Sequence, residues 1–289
     1  MSIKVTNLSY IYNQKTSFNH LAIDDISFEI EDDTFVALVG KTGCGKSTLA
    51  QLLNGLLLPT SGTIEIEGHK ITSNRFKNRK TTKGLRKDVG LVLQFPEYQL
   101  FEQTVEKDVA FGPKNLKVKD KEALEYAHAA LQLVDIDKSF YQRSPFELSG
   151  GEKRKVAIAG ILALKPTVLI LDEPTAGLDP TSTIEIMNLF KMIQEERHIT
   201  VILITHDMEI VNKYAKKVIL MDDAKIKRIC TPEELFKEDA DLYSLEMPNV
   251  YKLAFELKNK GLKIDTSKIN DIDSLVNEIV GAKKWMIVH

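Results

Sequence analysis

Two cysteines, Cys44 and Cys230, in 289 residues are too few for a disulfide framework and suit a reducing compartment. Long apolar runs are missing as well. The longest, Val156 to Leu164, stops at Lys165, well short of the roughly 18 residues of a membrane span. The opening "MSIKVTNLSYIYN" has no basic-then-apolar pattern, so no signal peptide is expected. Net charge is only −2, a field that does not favour nucleic acid. No fixed-period repeat or low-complexity tract breaks the chain. What remains is an ordinary soluble composition, 43% hydrophobic and 28% charged, long enough for one large or two ordinary domains.

The pattern of apolar residues indicates an α/β fold. Ile3–Tyr12 and Ala22–Ile30 alternate with period two, as half-buried antiparallel strands do. "TFVALVG", "TVLILD" and "ITVILIT" are short continuous apolar runs, the signature of parallel strands covered on both faces. Helical patterns over Lys46–Leu57, Gly150–Leu164 and Pro180–Glu196 separate them, which predicts a right-handed βαβ core. A mainly helical stretch from Thr104 to Ser149 interrupts the alternation and reads as an inserted subdomain, about 104–165. A capping box at Thr231 and Glu234, with Pro232 between them, opens another helix. Beyond it, helices are expected over Val250–Lys260 and Ile272–Val280, each closed by a glycine, Gly261 and Gly281. The expected division is 1–238 and 239–289.

"GKTGCGKST", Gly40 to Thr48, follows an apolar strand and opens a helix, as a phosphate-binding loop must. Its glycines let backbone N–H groups face phosphate oxygens, and the helix start adds partial positive charge. Lys46 would reach the β- and γ-phosphates and Ser47 would ligate Mg²⁺. Cys44 sits inside the loop, where a helix start would lower its pKa. "VLILDEP" ends a buried strand in two acids. Asp172 suits Mg²⁺, and Glu173 suits polarisation of a water in line with the γ-phosphate. His206 ends the next strand at the same sheet edge, where it could hydrogen-bond that phosphate.

"LSGGEKRKVAIAGILA", Leu148 to Ala163, begins as a second anion-binding helix start, one more than a single nucleotide needs. With it, residues 3 to 230 resemble the ATP-binding cassette (ABC) ATPases. That implies a P-loop NTPase core with a mainly parallel sheet, an antiparallel β subdomain, the helical insertion and a small C-terminal helical extension. The resemblance makes Gly40, Lys41, Thr42, Gly43, Cys44, Gly45, Lys46, Ser47 and Thr48 the nucleotide loop. It makes Leu148, Ser149, Gly150, Gly151 and Glu152 a signature that binds the γ-phosphate held by a second, head-to-tail cassette. The family usually has Gln where Glu152 stands. Asp179 corresponds to its D-loop, His206 to its switch histidine, and Gln94 to a glutamine that senses Mg²⁺ and the attacking water. Tyr12 corresponds to the adenine-stacking aromatic, with Tyr10 as competitor. ATP and Mg²⁺ are the implied cofactors.

Gln94–Pro113 and Val156–Pro180 resemble more narrowly the ATPases of energy-coupling factor (ECF) vitamin and metal importers, and "NQKTSFNHLA" the second of their two paralogous ATPases. This implies a peripheral protein on the cytoplasmic face of the cell membrane. Its partners would be a paralogous ATPase, or a second copy, together with a transmembrane coupling protein and a substrate-capture membrane subunit. The tail would be a dimerisation extension. Phe95, Tyr98, Leu100 and Phe101 would line a groove for the coupling protein.

The competing classes are an ATPase of another transporter type, a non-transport cassette protein and a P-loop kinase. Chromosome-maintenance ATPases carry longer insertions, translation-associated cassettes usually carry two signatures, and a kinase has no use for "LSGGE". The basic run Arg75–Lys87 contains no acid, but it lacks interleaved aromatics and reads as a solvated loop between strands, so no nucleic acid is expected.

Overall fold

The computed structural model describes residues 3–239, 245–269 and 271–288, with the side chains of 75–80, 238, 239, 267 and 283–288 outside the description. Among the described residues, ten strands form two sheets. The first is antiparallel, in the order β2 (His20–Ile30), β1 (Ile3–Tyr12), β4 (Ser61–Ile66), β5 (His69–Thr72). The second has the order β10-β9-β3-β8-β7-β6, from β3 (Phe35–Gly40), β6 (Val89–Val92), β7 (Val168–Asp172), β8 (Thr200–Ile204), β9 (Lys217–Asp222) and β10 (Lys225–Cys230). It is parallel except for β10, which runs against β9.

The helices are α1 (Lys46–Leu53), α2 (Arg75–Asp88), α3 (Val105–Asn115), α4 (Asp120–Leu133), α5 (Gly150–Leu162), α6 (Pro180–Arg197), α7 (Met208–Tyr214), the single turn α8 (Pro232–Glu234), α9 (Asn249–Asn259) and α10 (Ile272–Val288). The basic run therefore contributes to a helix, α2, and not to a loop. Its residues are mostly unbranched Lys and Arg, which lose little side-chain freedom in a helix. The side chains of its first half, Arg75 to Lys80, lie outside the described residues. The Thr231 capping box forms, and Gly261 takes a left-handed φ of 92° just past α9. Gly281 does not end a helix, because α10 continues through it to Val288. The boundary expected at 238/239 adjoins residues 240–244, which lie outside the described ones.

The strand period sorts the core into layers. On β7, Val168 and Ile170 pack towards α1 and the antiparallel sheet, while Leu169 and Leu171 pack towards the helical insertion. Ile202 and Ile204 on β8 share the first face, and Val201 and Leu203 the second. Burial on both faces is why these strands read as unbroken apolar runs. The tail is packed and not pendant. Tyr251 and Ala254 of α9 and Leu275 of α10 share a third cluster with Val218, Leu220 and Val211.

Gly90 on β6 shows how closely α5 lies on the sheet. A Cβ there would stand 2.7 Å from Ile161 Cγ2 and 3.2 Å from Leu169 Cδ1. Overpacking of this kind costs about 1–3 kcal/mol. Gly90→Val should lower the urea midpoint accordingly, and a midpoint equal to the parent's would show that α5 can retreat freely.

Candidate active site

Register brings the chemistry to one edge. Leu38 of β3 pairs with Ile204 of β8, and Ile204 pairs with Asp172 of β7, so β7 and β8 end level with Leu38, just before β3 ends at Gly40. Gly40, Asp172 and His206 therefore lie at the same edge of the sheet.

The loop Gly40–Thr48 wraps as its glycines require. Gly40, Gly43 and Gly45 have φ of 144°, 83° and 104°. A Cβ on Gly45 would lie 2.3 Å from the Ala22 carbonyl oxygen, so only glycine fits. Lys46 folds back over the loop and donates from Nζ to the carbonyls of Gly40 at 2.7 Å and Lys41 at 2.9 Å. Lys41 and Thr42 are exposed at the rim. Tyr12 ends β1 with its hydroxyl 3.2 Å from Thr48 Oγ1. Tyr10 packs edge-on to Tyr12 at 4.8 Å and leans on the core, which leaves Tyr12 as the aromatic nearer the loop.

Cys44 departs from expectation. It is buried, and burial pushes its thiol above the ordinary value, more than the neighbouring Lys46 ammonium can offset. The helix start does not make it reactive, because its sulfur faces the core and not water.

Asp172 is 8% exposed. Burial pushes its carboxyl upwards; the Ser47 hydroxyl, donating at 3.2 Å, pulls the other way, and Glu173 adds further repulsion. Glu173 lies one residue past the strand with a left-handed φ of 49°, which swings its carboxylate out of the strand's alternation. There Gln94 Nε2 donates to Glu173 Oε2 at 3.2 Å, and His206 Nδ1 stands 3.4 Å from Oε1. Five predicted residues thus converge: Asp172 with Ser47, and Glu173 with Gln94 and His206.

The signature does not join them. Ser149 caps α5 and forms a capping box with Glu152, and among the described residues no hydrogen bond or ion pair ties Ser149–Glu152 to the loop. Gly150 and Gly151 are exposed at this helix start. Leu148 is no part of an exposed signature surface. It is buried in the core beneath Ser149, its apolar side chain anchoring the turn. Asp179 caps α6, accepting from the backbone N–H groups of Thr181 and Ser182.

The groove expected after β6 is only partly there. Tyr98 is 84% exposed and Phe101 57%, with Phe101 packed edge-on against Phe111. Phe95 is borderline, and Leu100 is core at 7%, turned inward among Val92, Val105 and Val109. Sequence reasoning passed over Glu97 and Arg154, which form a bidentate pair here. A signal existed for the burial of Arg154, which falls on the same α5 stripe as the apolar Ile158 and Leu162, but none for its partner.

A family model described as ABC transporter matches residues 23–176. The chain belongs to the ABC transporter family. An AAA-domain model also matches, over residues 141–212. Among curated relatives of this ABC chain, the energy-coupling factor transporter ATP-binding protein EcfA2 of Caldanaerobacter subterraneus is 50% identical over 91% of the chain and 92% of its own length. The protein of that name from Clostridioides difficile is also 50% identical, over 91% and 92%. Membership therefore extends to the energy-coupling factor ATP-binding proteins. Among solved structures, cbiO1 of Clostridium perfringens, part of the ABC transporter complex cbiONQ, aligns with TM-score 0.73 and 37% identity over 90% of this chain and 96% of that one. A dimeric ATP-binding cassette in a post-hydrolysis state with ADP and Pi aligns at 0.69, with 28% identity over 80% and 98%. As a member of this family the chain is an ATP-binding ATPase with the P-loop NTPase fold.

Burial gives this ABC cassette an inert thiol. Iodoacetamide at neutral pH should alkylate Cys44 at least about tenfold more slowly in the folded protein than in urea. Peptide mapping separates it from Cys230, and equal rates in the two states would place the sulfur at the surface.

Proposed function

We propose that this chain is the ATP-hydrolysing subunit of an energy-coupling factor importer, peripheral on the cytoplasmic face of the membrane. Its turnover drives uptake of a vitamin or transition-metal ion through membrane partners. The observation that carries the reading is the pairing of Glu173 with both Gln94 and His206, beside a phosphate loop tied to Asp172 through Ser47.

The chain's own groups suit the reaction. Loop N–H groups and the α1 start bind the phosphates, and Lys46, freed from its two carbonyls, neutralises them. Ser47 and Asp172 offer hard oxygen donors, and burial works against the charge on Asp172, so the pair would suit Mg²⁺. Gln94, its amide nitrogen held by Glu173, would offer its amide oxygen as a further donor. The ion, when bound, screens charge on the transferring phosphoryl group. Glu173 polarises the attacking water, Gln94 fixes its carboxylate, and His206 contacts the γ-phosphate. Tyr12 stacks on adenine.

Ser149, Gly150, Gly151 and Glu152 would complete the site of a second cassette, either a paralogous ATPase or a second copy, with Asp179 at the contact. This accounts for an anion-binding helix start that does not join its own loop. Phe95, Tyr98 and Phe101 present the surface for a transmembrane coupling protein, which itself works with a substrate-capture subunit. The 239–289 extension takes part in dimerisation. No helix among the described residues is long and apolar enough to cross a membrane, so attachment runs through these partners.

Two variants, expressed with the membrane partners, separate chemistry from docking. Glu173→Gln should bind ATP and co-purify normally while turnover falls on the order of 10²–10⁴-fold. Near-parent ATPase activity in the assembled variant would remove Glu173 from its role. Tyr98→Asp with Phe101→Asp should keep ATP affinity but fail to co-purify with the membrane subunits, and normal assembly would show that this surface docks nothing.

A further inference from the structure

The buried stripe of α5 carries a charge. Val156, Ile158, Ala159 and Leu162 are buried, and Arg154 is buried with them at 4% exposure. A guanidinium taken out of water is tolerated only where its donors are met. Arg154 meets them with two other segments. It binds Glu97 in a bidentate pair, Nη2 to Oε1 at 2.7 Å and Nε to Oε2 at 3.0 Å. Its Nη1 donates to the carbonyl oxygens of Ala176 at 3.0 Å and Pro174 at 3.4 Å. The Phe95 ring lies 5.8 Å from its Cζ.

Each segment ends in a residue of the site. Pro174–Ala176 is the turn leaving Glu173, closed by the Ala176 N–H donating to the Glu173 carbonyl at 3.1 Å. Glu97 follows Gln94 by three residues, with Phe95 between them. Glu173 and Phe95 both hold left-handed backbones, φ 49° and 55°, which cost free energy in residues with a Cβ. Such conformers persist where the surroundings over-determine them. Arg154 is bonded to the turn after one and packed on the ring of the other. On the far side, Glu97 is the chain neighbour of exposed Tyr98, and Arg154 shares α5 with the signature at that helix's start.

We propose that Arg154 is a positioning residue for hydrolysis, a tie that holds Glu173 against Gln94 and relays displacement of the Tyr98 surface or the signature helix to that carboxylate. It rests on the reading of Glu173 as the water-polarising group. A purely structural Arg154 would matter only by satisfying its own buried charge and that of Glu97. A positioning Arg154 matters also when no charge is left unpaired.

The test uses the full-length chain assembled with its membrane partners. Arg154→Lys keeps the charge but cannot span a carboxylate and two carbonyls at once. It should lower kcat on the order of 10- to 100-fold, with KM for ATP changed less than about twofold. Arg154→Met with Glu97→Leu removes both charges together, so it should regain the parent urea midpoint while kcat stays low. Recovery of kcat along with the midpoint would overturn the tie. So would parent-like kcat in Arg154→Lys beside an inactive Glu173→Gln. Normal turnover in Glu173→Gln would instead overturn the reading beneath it.

Discussion

The active edge depends on a pairing register. Leu38, Ile204 and Asp172 stand abreast across β3, β8 and β7. A slip of one residue would turn every side chain of a strand to the opposite face. It would also pull Gly40, Asp172 or His206 out of line. The register is held by packing, because alternate residues of β7 and β8 belong to different apolar clusters on the two faces of the sheet. Neither face can be exchanged for the other without losing both.

What this edge holds is unfavourable on its own terms. A nearly buried carboxylate, Asp172, stands beside a second one, Glu173, whose backbone is left-handed. Burial works against the charge on Asp172, and Glu173 compounds it. The countermeasures are local: a serine hydroxyl and the Lys46 ammonium at Asp172, and a glutamine amide and an exposed histidine at Glu173. A site that is under-compensated in the protein has interaction energy left for a polyanion and its cation. The Glu97–Arg154 pair is the opposite case. Burial pushes the Glu97 carboxyl up, but the Arg154 hydrogen bonds, a backbone hydrogen bond and the Arg154 charge together hold it below its ordinary value.

Much of this was legible in the residues because it is local. Continuous apolar runs announced β3, β7 and β8, the glycine spacing announced the loop, and Thr231 with Glu234 announced a capped helix. What was missed depends on neighbours distant in the chain. Leu100 resembles Tyr98 as an apolar residue near a turn, but only the packing of α3 decides that it points inward. Cys44 carries the pattern of an activated thiol until the core behind the loop is seen. Gly281 carries the pattern of a helix end, yet α10 runs on, since a glycine weakens a helix by only about 1 kcal/mol. Arg154 and Glu97 lie 57 residues apart, and no local rule joins them.

The order of strands has a consequence in time. β3 carries the phosphate loop early in the chain, yet both its neighbours, β8 and β9, come from the last third. Ser47 waits 125 residues for Asp172, and Gln94 waits 79 for Glu173. A ribosome adding about 5–20 residues per second therefore exposes the loop strand for seconds before either edge is covered. During that interval no partial product owns the hydrolytic set, so an aborted or clipped chain is not a stray consumer of ATP. It is instead an unpaired strand edge, a substrate for chaperones or proteases.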